Sequence, residues 1–173
     1  MNADRRAVAV AAMMLVASSV SAQDADRTSF VPGVVKSVLL DPTTYAPAIL
    51  AWEATHLDWR SSQPFFRNGW REHNPRFTVS GRSNDTALDY AAGNHRILSD
   101  AVVNLEVSLL NNVSERVLER LLMPRYSNHP RLLRAIGWIE RSAMASYWSH
   151  RQSAAHFRKW RENVRNAQQL GYQ

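Results

Sequence analysis

Three groups of residues in this 173-residue chain have types and spacings that can do chemistry. The first is Glu53-Ala54-Thr55-His56. On a helix this spacing sets a carboxylate and an imidazole on one face. Carboxylate bundles hold paired metal ions with two such Glu-x-x-His pairs and a further Glu from each of two other helices. Only one pair occurs here, with Glu106 and Glu140 as other helix-borne carboxylates and His150 as another inward histidine. His150 and His156 are six apart and point to different sides of a helix. Half a motif favours a core histidine partnered by Trp59 or Tyr45 over a metal centre. Glu53 and His56 remain the candidate metal ligands, and no cofactor follows from the sequence.

The second group is Trp70-Arg71-Glu72-His73-Asn74, which places an acid, a base and amide groups together in an irregular stretch. No partner stands at diagnostic spacing: there is no G-x-S-x-G, no phosphate loop and no HExxH. These side chains are therefore expected to tie the loop to the body, and no catalytic residue is assigned.

The third is a line of arginines and tryptophans near the C-terminus: Arg131, Arg134, Trp138, Arg141, Trp148, Arg151 and Arg158, with Arg165 beyond. Guanidinium groups beside indoles suit phosphate or carboxylate recognition with stacking as a second contact. The line predicts contact with an anionic polymer, an anionic membrane surface or an acidic protein. The competing arrangement pairs these arginines with acids of the preceding helices. Charge is segregated accordingly. Residues 23–123 carry 10 basic against 12 acidic side chains, and residues 124–173 carry 9 against 2, so the net +7 of the last segment dominates a chain of +6.

The elements that must position these residues are helices. The chain is 45% hydrophobic and 21% charged, as expected of one globular domain. It has no cysteine, which excludes disulfides, thiolate metal sites and cysteine nucleophiles. Residues 1–22 read as a cleavable signal peptide: Arg5 and Arg6, an apolar run Ala7–Ala17, and Val20-Ser21-Ala22 before a cut at Ala22. The apolar run is too short to span a bilayer, and the residues after the arginine pair favour general secretion over twin-arginine export. An exported protein, periplasmic or secreted, is the expectation, and export disfavours nucleic acid as a partner. Residues 23–173 are expected as a single helical domain.

Val31–Leu40 reads as a short strand or an apolar crossing segment. Asp41-Pro42-Thr43-Thr44 starts a helix to about Ser62, with Tyr45, Ile49, Trp52, His56 and Trp59 as its apolar face. Residues 63–83, rich in proline and glycine, form a long loop, with Phe77–Val79 as a short extended piece. Asn84 or Asp85 caps a second helix to about Asn111, whose inner stripe is Leu88, Ala91 or Ala92, Leu98, Val102, Leu105 and Leu109. Asn112-Val-Ser-Glu115 fits a capping box, so a break and a short third helix to Met123 compete with an unbroken one. Asn84-Asp-Thr86 and Asn112-Val-Ser114 also match glycosylation sequons.

The last helix starts at His129-Pro130. Its seam is read as Leu132, Ile136, Ile139, Ala143, Ser146, His150, Ser153, Phe157, Trp160 and Val164, and either the bundle is elongated around a continuous helix or the helix breaks near Gly137 or Ser146–Ser153. The fold class is all-α, a bundle of about four helices with a long C-terminal helix and a long irregular loop after the first main helix. The functional expectation is a non-enzymatic binding or structural role with its contact surface on the arginine-rich helix. The alternative is a metal-binding or small catalytic bundle around Glu53 and His56.

Overall fold

The computed structural model describes residues 30–125 and 128–172. The expected leader, residues 1–22, lies outside them. The described residues form four α-helices and no β-strand, an all-α bundle. The chain divides into two compact units, Met1–Lys36 and Ser37–Gln173. Helix α1 (Phe30–Leu39) begins in the first and ends in the second. The Val31–Leu40 stretch is thus helical, with Pro32 in the first turn, where a missing N–H is tolerated.

Asp41 accepts from the Thr43 amide at 3.1 Å and hydroxyl at 2.7 Å, capping a 3-10 turn over Pro42–Thr44. Helix α2 (Ala46–Arg67) follows with Pro47 in its first turn, as the sequence predicts. It runs past the expected end through Pro64, and Asn68 Nδ2 closes it on the Pro64 carbonyl at 2.8 Å. The irregular segment is therefore 68–89 rather than 63–83. A 3-10 turn at Pro75–Phe77 and antiparallel bridges Glu72–Asp85 and Thr78–Ala87 fold this segment back on itself.

Helix α3 (Tyr90–Leu122) starts at Asp89, whose carboxylate accepts from Ala92 N at 2.8 Å, and not at Asn84 or Asp85. It passes unbroken through Asn112. That side chain is buried and donates to Thr43 Oγ1 (3.0 Å) and Thr44 Oγ1 (2.7 Å), so it joins elements instead of capping one. Helix α4 (Pro130–Leu170) is continuous over 41 residues, about 60 Å at 1.5 Å per residue, with no break at Gly137 or Ser146–Ser153. Gly171, at φ +69, ends it in a left-handed cap. No helix among the described residues is long and apolar enough to cross a membrane.

The register follows from the long-range contacts. Asp41 meets Arg141 and Asp58 meets His156, so α2 and α4 run parallel. Asp41 meets Arg116 and His56 meets Tyr90, so α3 runs antiparallel to α2. α2 packs most extensively on α4, then on α3, while α3 and α4 touch least.

The faces turned inward differ from those the apolar pattern predicts. α2 buries Ala48, Ala51, Ala54, Trp59 and Phe65, while Ile49 and Trp52 are exposed. α3 buries Gly93, Ile97 and Asn112, and Leu98 and Val102 face out. α4 buries Gly137, Arg141, Ser149, Ser153, Asn163 and Ala167, and Leu132, Ile136, Ile139 and Val164 of the expected seam are exposed. The cause is small-residue packing: the α2–α4 register sets Ala51 and Ala54 level with Ser149 and Ser153, and small side chains let two backbones approach. Asn112, Arg141, Ser153 and Asn163 among them make side-chain hydrogen bonds, which offsets much of the penalty for burying them. The hydrophobic core cluster is Trp59, Phe77 and Ile97, flanked by Phe66, Ala87 and Leu88.

Candidate functional site

Six of the seven residues in the arginine–tryptophan line stand exposed on α4: Arg131, Arg134, Trp138, Trp148, Arg151 and Arg158. Trp138 is 61% exposed and Trp148 38%. Among the described residues no carboxylate pairs with Arg131, Arg134 or Arg158, and Arg151 donates to Tyr147 Oη at 2.8 Å.

Arg141 departs from the line. It is 2% exposed, with Nε donating to Asp41 Oδ2 at 3.2 Å and Nη1 lying 3.5 Å from Glu119 Oε2. Arg116 completes the group, contacting the same Asp41 oxygen at 2.9 Å and Glu119 at 3.3 Å. Two arginines and two carboxylates thus join the 3-10 turn, α3 and α4. The pairing is close but incomplete, since Arg141 Nη1 and Arg116 Nε make no hydrogen bond. Gly137 sits one turn from Arg141, and a Cβ there would meet Arg141 Nη1 at 3.1 Å.

Burial pushes the Asp41 carboxyl up, but the Thr43 hydroxyl and amide, with Arg116 and Arg141, outweigh it and hold it below the ordinary aspartate value. Glu115 on the same end of α3 is raised, first by burial and then by the Glu140 carboxylate, with Arg141 only partly offsetting them. The two act oppositely on stability. The stabilisation from Asp41 is complete above about pH 4 and is lost as the pH falls through its lowered folded value. Glu115 favours the folded state below about pH 4 and loses that contribution as the pH rises through its raised value. Unfolding curves of Glu115→Gln are therefore expected to lose the decline on the alkaline side of pH 4 and to keep the acid limb. Asp41→Asn should show the reverse.

Glu53 and His56 lie on α2 as the spacing predicts, half-buried. His56 stacks on Trp52 with ring centroids 5.3 Å apart, and its Nε2 is 3.3 Å from Tyr90 Oη. Among the described residues no three His, Asp or Glu side chains converge as a metal ion would require. The stacking partner is Trp52, one turn before the histidine, rather than Trp59 or Tyr45.

The 70–76 segment ties itself down. Arg71 pairs with Asp85 at 3.3 Å, Glu72 Oε1 accepts from Asn74 N at 2.6 Å, and Arg76 pairs with Asp100 on α3. It also walls a cavity of about 400 Å³ between α2, α4 and the loop. On the floor, Asp58 Oδ2 contacts His156 Nδ1 at 2.8 Å and Asp58 Oδ1 accepts from Asn163 Nδ2 at 3.2 Å. Asn163 also donates toward Ser61 Oγ (3.2 Å) and Ser62 Oγ (2.9 Å). A carboxylate only accepts, so Nδ1 carries the proton in this contact and Nε2 is the free nitrogen of the ring.

Asp58, His156 and Asn163 are absent from the sequence-derived candidates. On α4, His156 and Asn163 lie at different heptad positions from the apolar seam, and Asp58 lies off the apolar face expected of α2. The signal was nonetheless present: Ser149, His156 and Asn163 recur every seven residues, with Arg141 eight before the first of them, a polar line where an apolar one is normal.

No family model matches the chain, and no curated protein or solved structure matches it.

Proposed function

We propose that this is a peripheral binding protein that docks on an anionic lipid surface through the hairpin tip where α3 passes into α4, with the exposed arginines and tryptophans of α4 extending the contact. One observation carries this reading. Residues 120–139 hold four arginines (Arg120, Arg125, Arg131, Arg134) and no carboxylate. In the same stretch Leu121, Leu122, Leu132, Ile136, Trp138 and Ile139 are all exposed.

The geometry of α4 explains the exposure. At about 100° per residue, Leu132, Ile136 and Ile139 fall on one stripe, and Gly137 and Arg141 fall roughly opposite. Because Gly137 and Arg141 turn into the bundle, the apolar stripe turns out, flanked by Arg131 and Trp138. A helix that shows water Leu, Ile and Trp beside arginine has the composition of an interfacial element, whose affinity sums apolar burial and attraction to anionic headgroups. An acidic protein or polymer would satisfy the arginines but leave the aliphatic stripe without a function.

Each arginine near an anionic surface contributes about 1 kcal/mol. Co-sedimentation should therefore show binding to phosphatidylglycerol vesicles and little to phosphatidylcholine ones. Arg131→Gln with Arg134→Gln should weaken it by roughly tenfold to thirtyfold. Molar salt, which shortens the screening length to about 3 Å, should weaken it as well. Equal binding to both vesicle types, or none to either, contradicts the proposal.

A further inference from the structure

The cavity over the Asp58–His156 pair lies on a different part of the molecule from the hairpin tip and has the chemistry of a ligand site. One side is aromatic. Trp59, Phe65 and Phe77 are buried in its wall, with Phe66 beside them. Trp70, 54% exposed, stands against Phe65 edge-on at 5.4 Å between centroids. Trp70 is held there by Phe65 and by Tyr172, whose Oη lies 3.4 Å from its Nε1. The opposite side is a row on α4: His156, Lys159, Asn163 and Asn166, at spacings of three and four that keep them on one face.

The charges along this cavity are unevenly engaged. Asp58 has both oxygens committed, to His156 and to Asn163. Glu72 turns one oxygen to the Asn74 amide, and Arg71 is shared with Asp85. Lys159 pairs with no acid among the described residues, and His156 Nε2 accepts or donates no hydrogen bond there. With Nδ1 fixed on Asp58, protonation of the ring places its second N–H at Nε2. The cavity therefore keeps an ammonium and an imidazole nitrogen in reserve, next to an aromatic wall whose indole N–H groups are already engaged, Trp59 with the Tyr90 carbonyl and Trp70 with Tyr172. A volume of about 400 Å³ falls in the range of small-molecule pockets.

We propose that this cavity binds a small organic carboxylate with a flat apolar body. The carboxylate lies between Lys159 and His156, and the body lies along Phe66 and Trp70. Asp58 and Asn163 act as positioning residues that fix the His156 ring. A neutral polyol would use the amides but leave Lys159 unpaired. A cation would be repelled by Lys159 and find Asp58 already engaged.

The probe is 2-naphthoate, compared with 2-naphthylmethanol, which has the same ring system and no charge. Both are titrated into the full chain by calorimetry, with amide chemical shifts locating the site. The expected result is one site per chain, with naphthoate bound at least about tenfold more tightly than the alcohol, as suits a hydrogen bond to a charged group. The shifts should cluster around His156 and Asn163. Lys159→Met, at an exposed position where folding is not at risk, should bring naphthoate down to the affinity of the alcohol and leave the alcohol unchanged. His156→Gln, which keeps a donor toward Asp58, should give a partial loss. The proposal is overturned by equal affinity for the two probes, by shifts confined to residues 120–139, by an unaffected Lys159→Met, or by no binding of either probe at millimolar concentration.

Discussion

Arg141→Met is expected to destabilise the protein by about 3–5 kcal/mol, the range for removing one member of a buried ion pair. Asp41 and Glu119 are the residues left behind, with side chains 6% and 10% exposed, and Arg116 alone is too few charges to neutralise both. A loss of this size is a large part of the roughly 5–15 kcal/mol that stabilises a domain. Urea unfolding followed by circular dichroism measures it. The methionine fills most of the arginine's volume, so a cavity is not the cause of the loss. Adding Glu119→Gln to Arg141→Met removes one stranded charge and should recover part of the stability. If the double variant is less stable than the single one, the charges are not the source of the effect. The same substitution also separates structure from binding. Arg141 lies inside, so Arg141→Met should leave vesicle binding intact under conditions where the protein remains folded, in contrast to Arg131→Gln with Arg134→Gln.

The second large effect lies at the other end of α2. Trp59, 4% exposed, packs on Phe66 and Phe77, and its Nε1 donates to the Tyr90 carbonyl at 3.3 Å. Its indole occupies the place a side chain at residue 93 would take: a Cβ on Gly93 would lie 2.2 Å from Trp59 Cε2. Trp59→Ala should cost about 3–5 kcal/mol, as for other buried aromatic truncations. Gly93→Ala should cost about 1–3 kcal/mol through overpacking, although alanine is the better helix former by about 1 kcal/mol. Thermal unfolding of both variants tests the pair. A Gly93→Ala protein as stable as the parent, or more so, would show that the indole does not rest on the helix backbone. In the double variant Gly93→Ala, Trp59→Ala, the methyl group meets no ring, so the two costs should fall short of additive.

Much of the architecture was legible from the chain. Helical periodicity, the Asp41-Pro42 start signal and the Asn68-Gly69 and Asn74-Pro75 turns after α2 sufficed for an all-α bundle with a long loop. Boundaries slipped where local signals competed with longer-range ones. Asn84 and Asp85 resemble caps, but Asp85 is occupied in the bridge to Glu72, and the cap falls to Asp89. Asn112 resembles a break until Thr43 and Thr44 supply acceptors for its amide. The faces of the helices were hardest to read. The rule that apolar residues turn inward selects Leu132, Ile136 and Ile139 on α4, whereas the bundle takes in Gly137, Arg141, Ser149 and Ser153. That choice depends on Asp41 and on the alanines of α2, distant in sequence and set beside α4 only by the fold. The Asp58–His156 pair was illegible for the same reason, since 98 residues separate its members. The arginines of α4 could be identified as a line, but not which of them faced a carboxylate.

The absence of cysteine allows one label to be placed anywhere without background. A nitroxide at Ile136→Cys, with a second chain labelled at Ser99→Cys on the far part of α3, measures whether the hairpin tip enters lipid. On phosphatidylglycerol vesicles the label at 136 should gain exposure to oxygen and lose exposure to a water-soluble nickel complex, while the label at 99 stays in water. A label at 136 that stays aqueous while the protein sediments with the vesicles would show that the arginine-rich tip is not what meets the membrane.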